Sequence, residues 1–143
     1  PLVTLPDSAC YNTYASSLAW ATTSFPPVGI ADPATGYLNT INVPSAAPGQ
    51  LFRANGQLGG SLFVAATPSS LQLTITPLPS FKVASLNVYF GPAGSFANVS
   101  PLNYGTSLTG GTSPFVIPAT AVIGSADLVI HAIMCPAGTG AGQ

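Results

Sequence analysis

His131 and Asp127 are the residues whose types first suggest chemistry, because a histidine paired with a carboxylate can act as a general base. Both lie in the apolar run from Asp127 to Cys135, which the sequence predicts to be a strand. Residues four apart on a strand share a face but are separated by roughly 13 Å. The two side chains therefore cannot hydrogen-bond directly, and His131 would need a carboxylate from elsewhere, such as Asp7 or Asp32.

A single histidine on an apolar strand is more often a structural residue than a catalytic one. A hydrolase would also need a serine activated by that histidine. Serines are plentiful, but the sequence contains no Gly-x-Ser-x-Gly nucleophile elbow. A small hydrolase that uses His131 is therefore kept only as the second alternative function.

The other chemical classes have even fewer candidate residues. Three aspartates and no glutamate leave little choice for the two carboxylates of a glycosidase. One histidine, three aspartates and two cysteines show no clustered metal-ligand spacing. No glycine-rich phosphate loop opens a predicted helix. The sequence thus predicts no catalytic residue, no metal site and no cofactor.

Charged residues are scarce, at 3% of 143 residues, and the formal net charge is -1. Proteins that bind nucleic acid neutralise phosphates with lysines and arginines, so nucleic acid is not an expected partner. The 15 prolines and 15 glycines interrupt every apolar run before the roughly 20 residues that a transmembrane helix needs. Membrane insertion is not expected either.

The first residues, Pro1 to Pro6, lack both the basic segment and the long apolar segment of a signal peptide. We interpret the chain as a mature form after cleavage. Low charge and abundant serine and threonine fit an extracellular protein better than a cytosolic one. A secreted, extracellular protein is therefore predicted.

Cys10 and Cys135 stand near opposite ends of the chain and are predicted to form a disulfide. A bond to another chain and two free thiols are the alternatives. Asn98-Val-Ser100 is the only N-glycosylation acceptor sequence, and Pro101 directly after it is expected to reduce glycan occupancy.

The segment from Ser61 to Phe90 has the clearest strand pattern. Its middle run, residues 71–76, alternates apolar with polar residues, as a strand buried on one side does. Residues 61–66 and 82–90 are strand-like on either side of it. The segment predicts an antiparallel meander of three strands.

Outside residues 61–90, the sequence contains strand, turn and helix signals. Residues 37–43, 113–117 and 127–135 are predicted strands, and the last is apolar enough to be central and covered on both faces. Residues 45–49 are predicted to form a turn. Between Asp7 and Ala21, a short helix and a non-helical structure are equally supported, because Tyr11, Tyr14, Ala15 and Leu18 have helical spacing among middling helix formers.

Seven or eight short strands and at most one short N-terminal helix predict an all-β fold. The preferred architecture is an antiparallel two-sheet β-sandwich of the Ig-like kind, and a β-barrel is the alternative. The chain is expected to form a single domain over residues 1–143. Residues 136–143 are expected to be a flexible tail.

Aromatic residues crowd the N-terminal third, where strand patterning is weakest. Tyr11, Tyr14, Trp20 and Tyr37 are candidate binding residues, since exposed aromatic side chains can stack on sugars or anchor a protein interface. Covering one end of the core is the alternative role. A self-associating structural or coat protein is the first alternative function, and a homodimer is predicted because few charges guard the strand edges.

The nearly uncharged chain rich in Ser, Thr, Ala, Pro and Gly, with an early Cys10 and a late Cys135 after an apolar strand, resembles small secreted fungal glycoproteins of the immunomodulatory type. This resemblance implies a non-enzymatic protein that binds a cell-surface glycan or receptor. The lectin-like fungal immunomodulatory family is an Ig-like sandwich and a dimer, but it is richer in charge and lacks cysteine. The resemblance assigns no functional residue.

Overall fold

A computed structural model of the chain describes residues 10–28, 35–53, 56–111, 113–118 and 124–137. These residues contain one three-residue 3-10 turn, Pro101–Asn103, and ten strands. The strands are β1 (Tyr11–Ser16), β2 (Ala21–Phe25), β3 (Gly36–Val43), β4 (Ser45–Phe52), β5 (Leu58–Ala66), β6 (Ser70–Pro77), β7 (Phe81–Pro92), β8 (Thr106–Thr109), β9 (Phe115–Pro118) and β10 (Gly124–Pro136). A helix long and apolar enough to cross a membrane does not occur in these ranges.

All ten strands belong to one antiparallel hydrogen-bonded sheet with the order β2-β3-β10-β1-β4-β5-β6-β9. Strand β7 pairs with β10 outside this path, and β8 pairs with β7. The sheet curls into a half-barrel. The all-β prediction is confirmed, whereas two separate sheets are not observed, and the curvature fits the barrel alternative.

Strand β10 is the centre of the sheet, as its apolar sequence predicts. One of its edges pairs with β7 over most of its length, and the other is shared by β3 and β1. Successive residues of β10 point to opposite faces of the sheet, and each face packs in a different hydrophobic cluster. Leu128 and Ile130 face the main core inside the curl, and Val129 lies in a second cluster on the outer face, with Tyr14 and Tyr104.

The N-terminal segment is a strand and not a helix, so the helical alternative is wrong. Strand β1 lies between β10 and β4, and Tyr11 and Ala15 enter the main core while Tyr14 enters the outer cluster. Because Tyr11 pairs with Met134, the preceding residue, Cys10, lies beside Cys135. The two cysteines form a disulfide, which confirms that prediction.

The predicted meander is only partly present. Strands β5 and β6 pair along their length, but β7 does not pair with β6 and instead pairs with β10. The end of β6 and its connection to β7 contain Pro77 and Pro79, which cannot donate ladder hydrogen bonds. A seam therefore opens between the end of β6 and the start of β7.

Two local expectations need correction. Residues 45–49 lie in β4, where they pair with β5, and do not form a turn. Strand β4 pairs with β1 only from Gln50 onward, so Pro48 lies at a position where β1 does not require its missing N–H. Pro136 and Ala137, which were expected to belong to a flexible tail, are held in place, because Pro136 pairs with Phe81 and the Ala137 N–H donates to the Ser80 carbonyl. Residues 138–143 lie outside the described ranges.

A buried amide joins the strands where β3 and β1 diverge along β10. The Asn39 amide donates to the carbonyls of Ala15 and Leu128, at 3.0 and 3.1 Å. Its oxygen accepts a hydrogen bond from the Thr22 hydroxyl. Asn39 therefore satisfies backbone groups that the strand ladders leave unpaired at this point.

Candidate functional site

His131 is a buried residue held by two amides. Its exposed fraction is 1%. Its Nε2 lies 2.8 Å from Asn12 Oδ1, and its Nδ1 lies 3.0 Å from Asn87 Nδ2. An amide oxygen can only accept and an amide nitrogen can only donate, so this arrangement fits the neutral tautomer with the proton on Nε2. Burial lowers the pKa of His131 to about 4.

Ser107 is linked to this network, but only through the side chain of Asn87. Its hydroxyl donates to Asn87 Oδ1 at 2.8 Å, and Asn87 in turn binds His131. A nucleophilic serine must instead donate directly to the histidine. The His131 network therefore has the geometry of a structural hydrogen-bond chain that joins β1, β10 and β7.

Asp127 is also buried and has a separate role from His131. Its Oδ2 accepts the backbone N–H groups of Gly94 and Phe96, both at 3.0 Å. The carboxylate thereby holds the loop after β7 against β10. Asp7 and Asp32, the other candidate partners of His131, lie outside the described residues. In the described ranges, no cluster of three or more His, Cys, Asp or Glu could hold a metal.

The candidate aromatic binding residues are mostly internal, which fits the alternative role of covering the core. Tyr11 and Trp20 belong to the main core. Tyr14 is fully buried, and its hydroxyl lies 3.0 Å from that of Tyr104. Tyr37 is half-buried against the outer cluster. Burying aromatic surface in a curled sheet is strongly favourable, so these residues serve the alternative role, packing.

Asn98, the predicted glycosylation site, is exposed on the loop between β7 and the 3-10 turn. Its Nδ2, the atom that would carry the glycan, donates to the Pro26 carbonyl at 2.8 Å. Pro101, which follows the acceptor sequence, is buried at the start of the turn. Glycosylation of Asn98 stays a prediction.

A groove of about 440 Å³ lies on the described surface. The turn between β1 and β2 forms one wall, and β4 with β5 forms the floor and the other wall. We call this feature the β4 groove. It is lined by residues without charge: Ser17, Leu18, Ala19, Pro48, Gly49, Gln50 and Ser61.

Two apolar side chains border the β4 groove and are exposed to solvent. Leu18 is fully exposed at its lip. Phe63 is 45% exposed and lies directly opposite Pro48 across the β4–β5 pair, so both side chains project from the same face. Exposed apolar side chains beside a groove make this face a candidate contact surface.

Unused polar groups lie next to this apolar surface. Gln50 and Ser61 are opposite each other across the same strand pair. Their side chains make no hydrogen bond to any other residue that the structure describes. The amide offers two donors and an acceptor, and the hydroxyl offers one donor and two acceptor lone pairs. The groove thus combines an apolar platform with free neutral hydrogen-bonding groups.

Trp20 packs directly beneath the β4 groove. A Cβ at Gly49 would lie 2.9 Å from Leu62 Cδ2 and 3.3 Å from the Trp20 indole, so only glycine lets β4 approach this closely. Trp20 is the single tryptophan of the chain. Its fluorescence can therefore report events in the groove above it.

No family model, curated protein or solved structure matches this chain. Phe63 and Gln50 could not be recognised as site residues from sequence, since each is an ordinary apolar or polar residue within a strand. The predicted strand over residues 61–66 was the available signal, because a strand places Ser61 and Phe63 on one face.

Proposed function

We propose that the protein is an extracellular recognition protein that binds a neutral saccharide of a cell surface in the β4 groove. The observation that carries this proposal is the exposed Phe63 beside a groove whose lining has no charge. The Cys10–Cys135 disulfide supports the extracellular setting, since disulfides persist mainly in oxidising compartments.

The chemistry of the groove matches that of a sugar ring. One face of a pyranose presents C–H groups that stack on an aromatic ring, as Phe63 offers. Its edge presents hydroxyls, which pair with the free groups of Gln50 and Ser61. An anionic sugar would find no cation in the lining. Neutral hexoses therefore fit better than sialylated or sulfated ones.

Replacing Phe63 by serine is expected to weaken saccharide binding by at least about fivefold, which corresponds to about 1 kcal/mol, because it removes the stacking platform. Quenching of Trp20 fluorescence during a saccharide titration measures the affinity. Val116→Ser is the matched control, because Val116 is exposed on the more distant strand β9. Equal affinities for wild type and Phe63→Ser would contradict the proposed site.

A self-associating structural protein is the second candidate function, and the β2 edge favours it. Among the described residues, strand β2 pairs only with β3, and residues 21–24 are exposed and uncharged. An unpaired strand edge without charge is a template for another strand. The partner strand would be β2 of a second copy of the chain. Two β2 strands that pair antiparallel about a two-fold axis give a homodimer.

The Thr23→Lys substitution is expected to shift such a dimer toward monomer, because charge on a strand edge opposes pairing. Sedimentation velocity over a concentration series measures the shift. Thr74→Lys makes the same chemical change at an exposed position of β6 and serves as the control. A wild-type protein that stays monomeric at high concentration would eliminate the second candidate.

A further inference from the structure

The seam between β6 and β7 is the second cavity of interest. The two strands separate after their connecting turn, and Gly111, Ser113 and Phe115 line the gap. The Ser113 hydroxyl accepts the Ile75 N–H at 2.6 Å and donates to the Ile75 carbonyl at 2.8 Å. The Ser113 side chain thus pairs with the Ile75 backbone groups that a neighbouring strand would otherwise bind. A cavity of about 230 Å³ remains between β6 and β7.

The interior of this seam cavity is apolar. Its apolar lining residues are Ile75, Pro77, Phe81, Val83 and Phe115. Three of them belong to the buried main core: Ile75, Val83 and Phe115. The hydroxyl of Ser113 is already hydrogen-bonded to Ile75 and is not available to a ligand. A molecule in the cavity would therefore contact mainly hydrocarbon and aromatic surface.

Lys82 gives the cavity a single charge. It is one of two cationic residues in the chain, it lines the seam cavity, and it is exposed to solvent. In the described part of the chain it forms no ion pair. An apolar cavity with a free ammonium side chain in its wall is complementary to a molecule with an apolar tail and an anionic head.

We propose that the seam cavity binds a short-chain monocarboxylate, with its hydrocarbon tail between β6 and β7 and its carboxylate at Lys82. A volume of 230 Å³ corresponds to about eight water-sized groups. This suits a ligand of about eight heavy atoms, and longer chains would extend into solvent. The site is separate from the β4 groove, with which it shares no lining residue.

Hexanoate, which has eight heavy atoms, is the probe, and hexanol is its neutral analogue. Titration of the intact protein at low salt, followed by amide NMR, measures both affinities and localises the site. We expect hexanoate to shift the amide resonances of residues 81–83, Ser113 and Phe115, and to bind about fivefold more tightly than hexanol. Raising the salt concentration should reduce this preference.

The charge assignment is tested by substitution at Lys82, which is exposed and can change without disturbing the core. Lys82→Gln should remove the preference for hexanoate over hexanol while hexanol binding is kept. Lys82→Glu should reverse the preference, so that hexylammonium binds more tightly than hexanoate. The proposal is overturned if hexanoate shifts none of the seam resonances, or if Lys82→Gln leaves the hexanoate preference unchanged.

Discussion

Replacing both Cys10 and Cys135 by serine is expected to lower the free energy of unfolding by about 5 kcal/mol. The disulfide joins residues 125 apart in sequence, so it closes nearly the whole chain into one loop. In the chain-entropy account, such a loop removes most of the end-to-end freedom of the unfolded state. Because domains are typically stable by only 5 to 15 kcal/mol, this loss would be a large share of the total.

Urea denaturation of wild type and the double variant measures this difference. Reduced wild-type protein is the control, and it should unfold at nearly the same urea concentration as the double variant. The disulfide also ties the start of β1 to the end of β10, so early exchange of β1 amides is expected in the variant. A loss of less than about 1 kcal/mol would contradict the entropic role of this disulfide.

Acidification from pH 6.5 to about pH 4 is expected to lower the free energy of unfolding by about 3 kcal/mol through His131 alone. Above pH 6.5 the imidazole is neutral in both the folded and the unfolded state, so it adds no pH dependence. Below pH 6.5 the unfolded chain binds a proton that the folded protein excludes. Acid therefore stabilises the unfolded state until the pH reaches the lowered pKa of the folded protein.

The surroundings of His131 explain why the folded state resists protonation. The Nδ1 atom accepts from the Asn87 amide, and a proton there would break this hydrogen bond. The other groups at the ring are Asn12 and the ring of Tyr14, neither of which carries charge in this pH range. No carboxylate of the described residues hydrogen-bonds the imidazole to compensate an added charge.

Thermal or urea unfolding at pH 7.5, 6.0, 5.0 and 4.5 measures this dependence. His131→Gln is the informative control, because glutamine can hydrogen-bond but cannot titrate. We expect its stability to be lower at pH 7.5 and to fall less steeply with acid than that of wild type. A wild-type stability that is unchanged between pH 7 and pH 5 would be inconsistent with a buried neutral histidine.

The parts of the fold that could be predicted are those with strong local patterns. The nearly continuous apolar run of β10 indicates a strand covered on both faces, and the structure places it at the centre of the sheet. The alternation of residues 71–76 likewise indicates β6. In both cases the pattern reflects burial on a pleated strand, which is a property of the segment itself.

The parts that could not be predicted depend on long-range pairing. Strands β6 and β7 are neighbours in sequence, yet β7 pairs with β10 at the other end of the chain. For β1, the positions of Tyr11 and Tyr14 fit a helix as well as a strand, and pairing with β10 and β4 decides between them. Local propensity is weaker than such tertiary pairing.

The candidate site was less predictable than the fold. The amide partners of His131 come from β1 and β7, 119 and 44 residues away in sequence. The β4 groove is formed by ordinary strand residues, and only the curvature of the sheet and the turn after β1 make them a concave surface. The candidate aromatic residues of the N-terminal third are packed mostly inside, because burying their large apolar rings is favourable and the sheet curls over them.

Binding to an array of neutral and anionic glycans is the measurement that tests the proposed function most directly. Wild-type protein is expected to bind a subset of neutral glycans, and Phe63→Ser to lose that signal while Val116→Ser keeps it. Both variants should retain the wild-type melting temperature within a few degrees, since both positions are exposed. Absence of binding to all neutral glycans, or binding that Phe63→Ser leaves intact, would contradict recognition of a saccharide in the β4 groove.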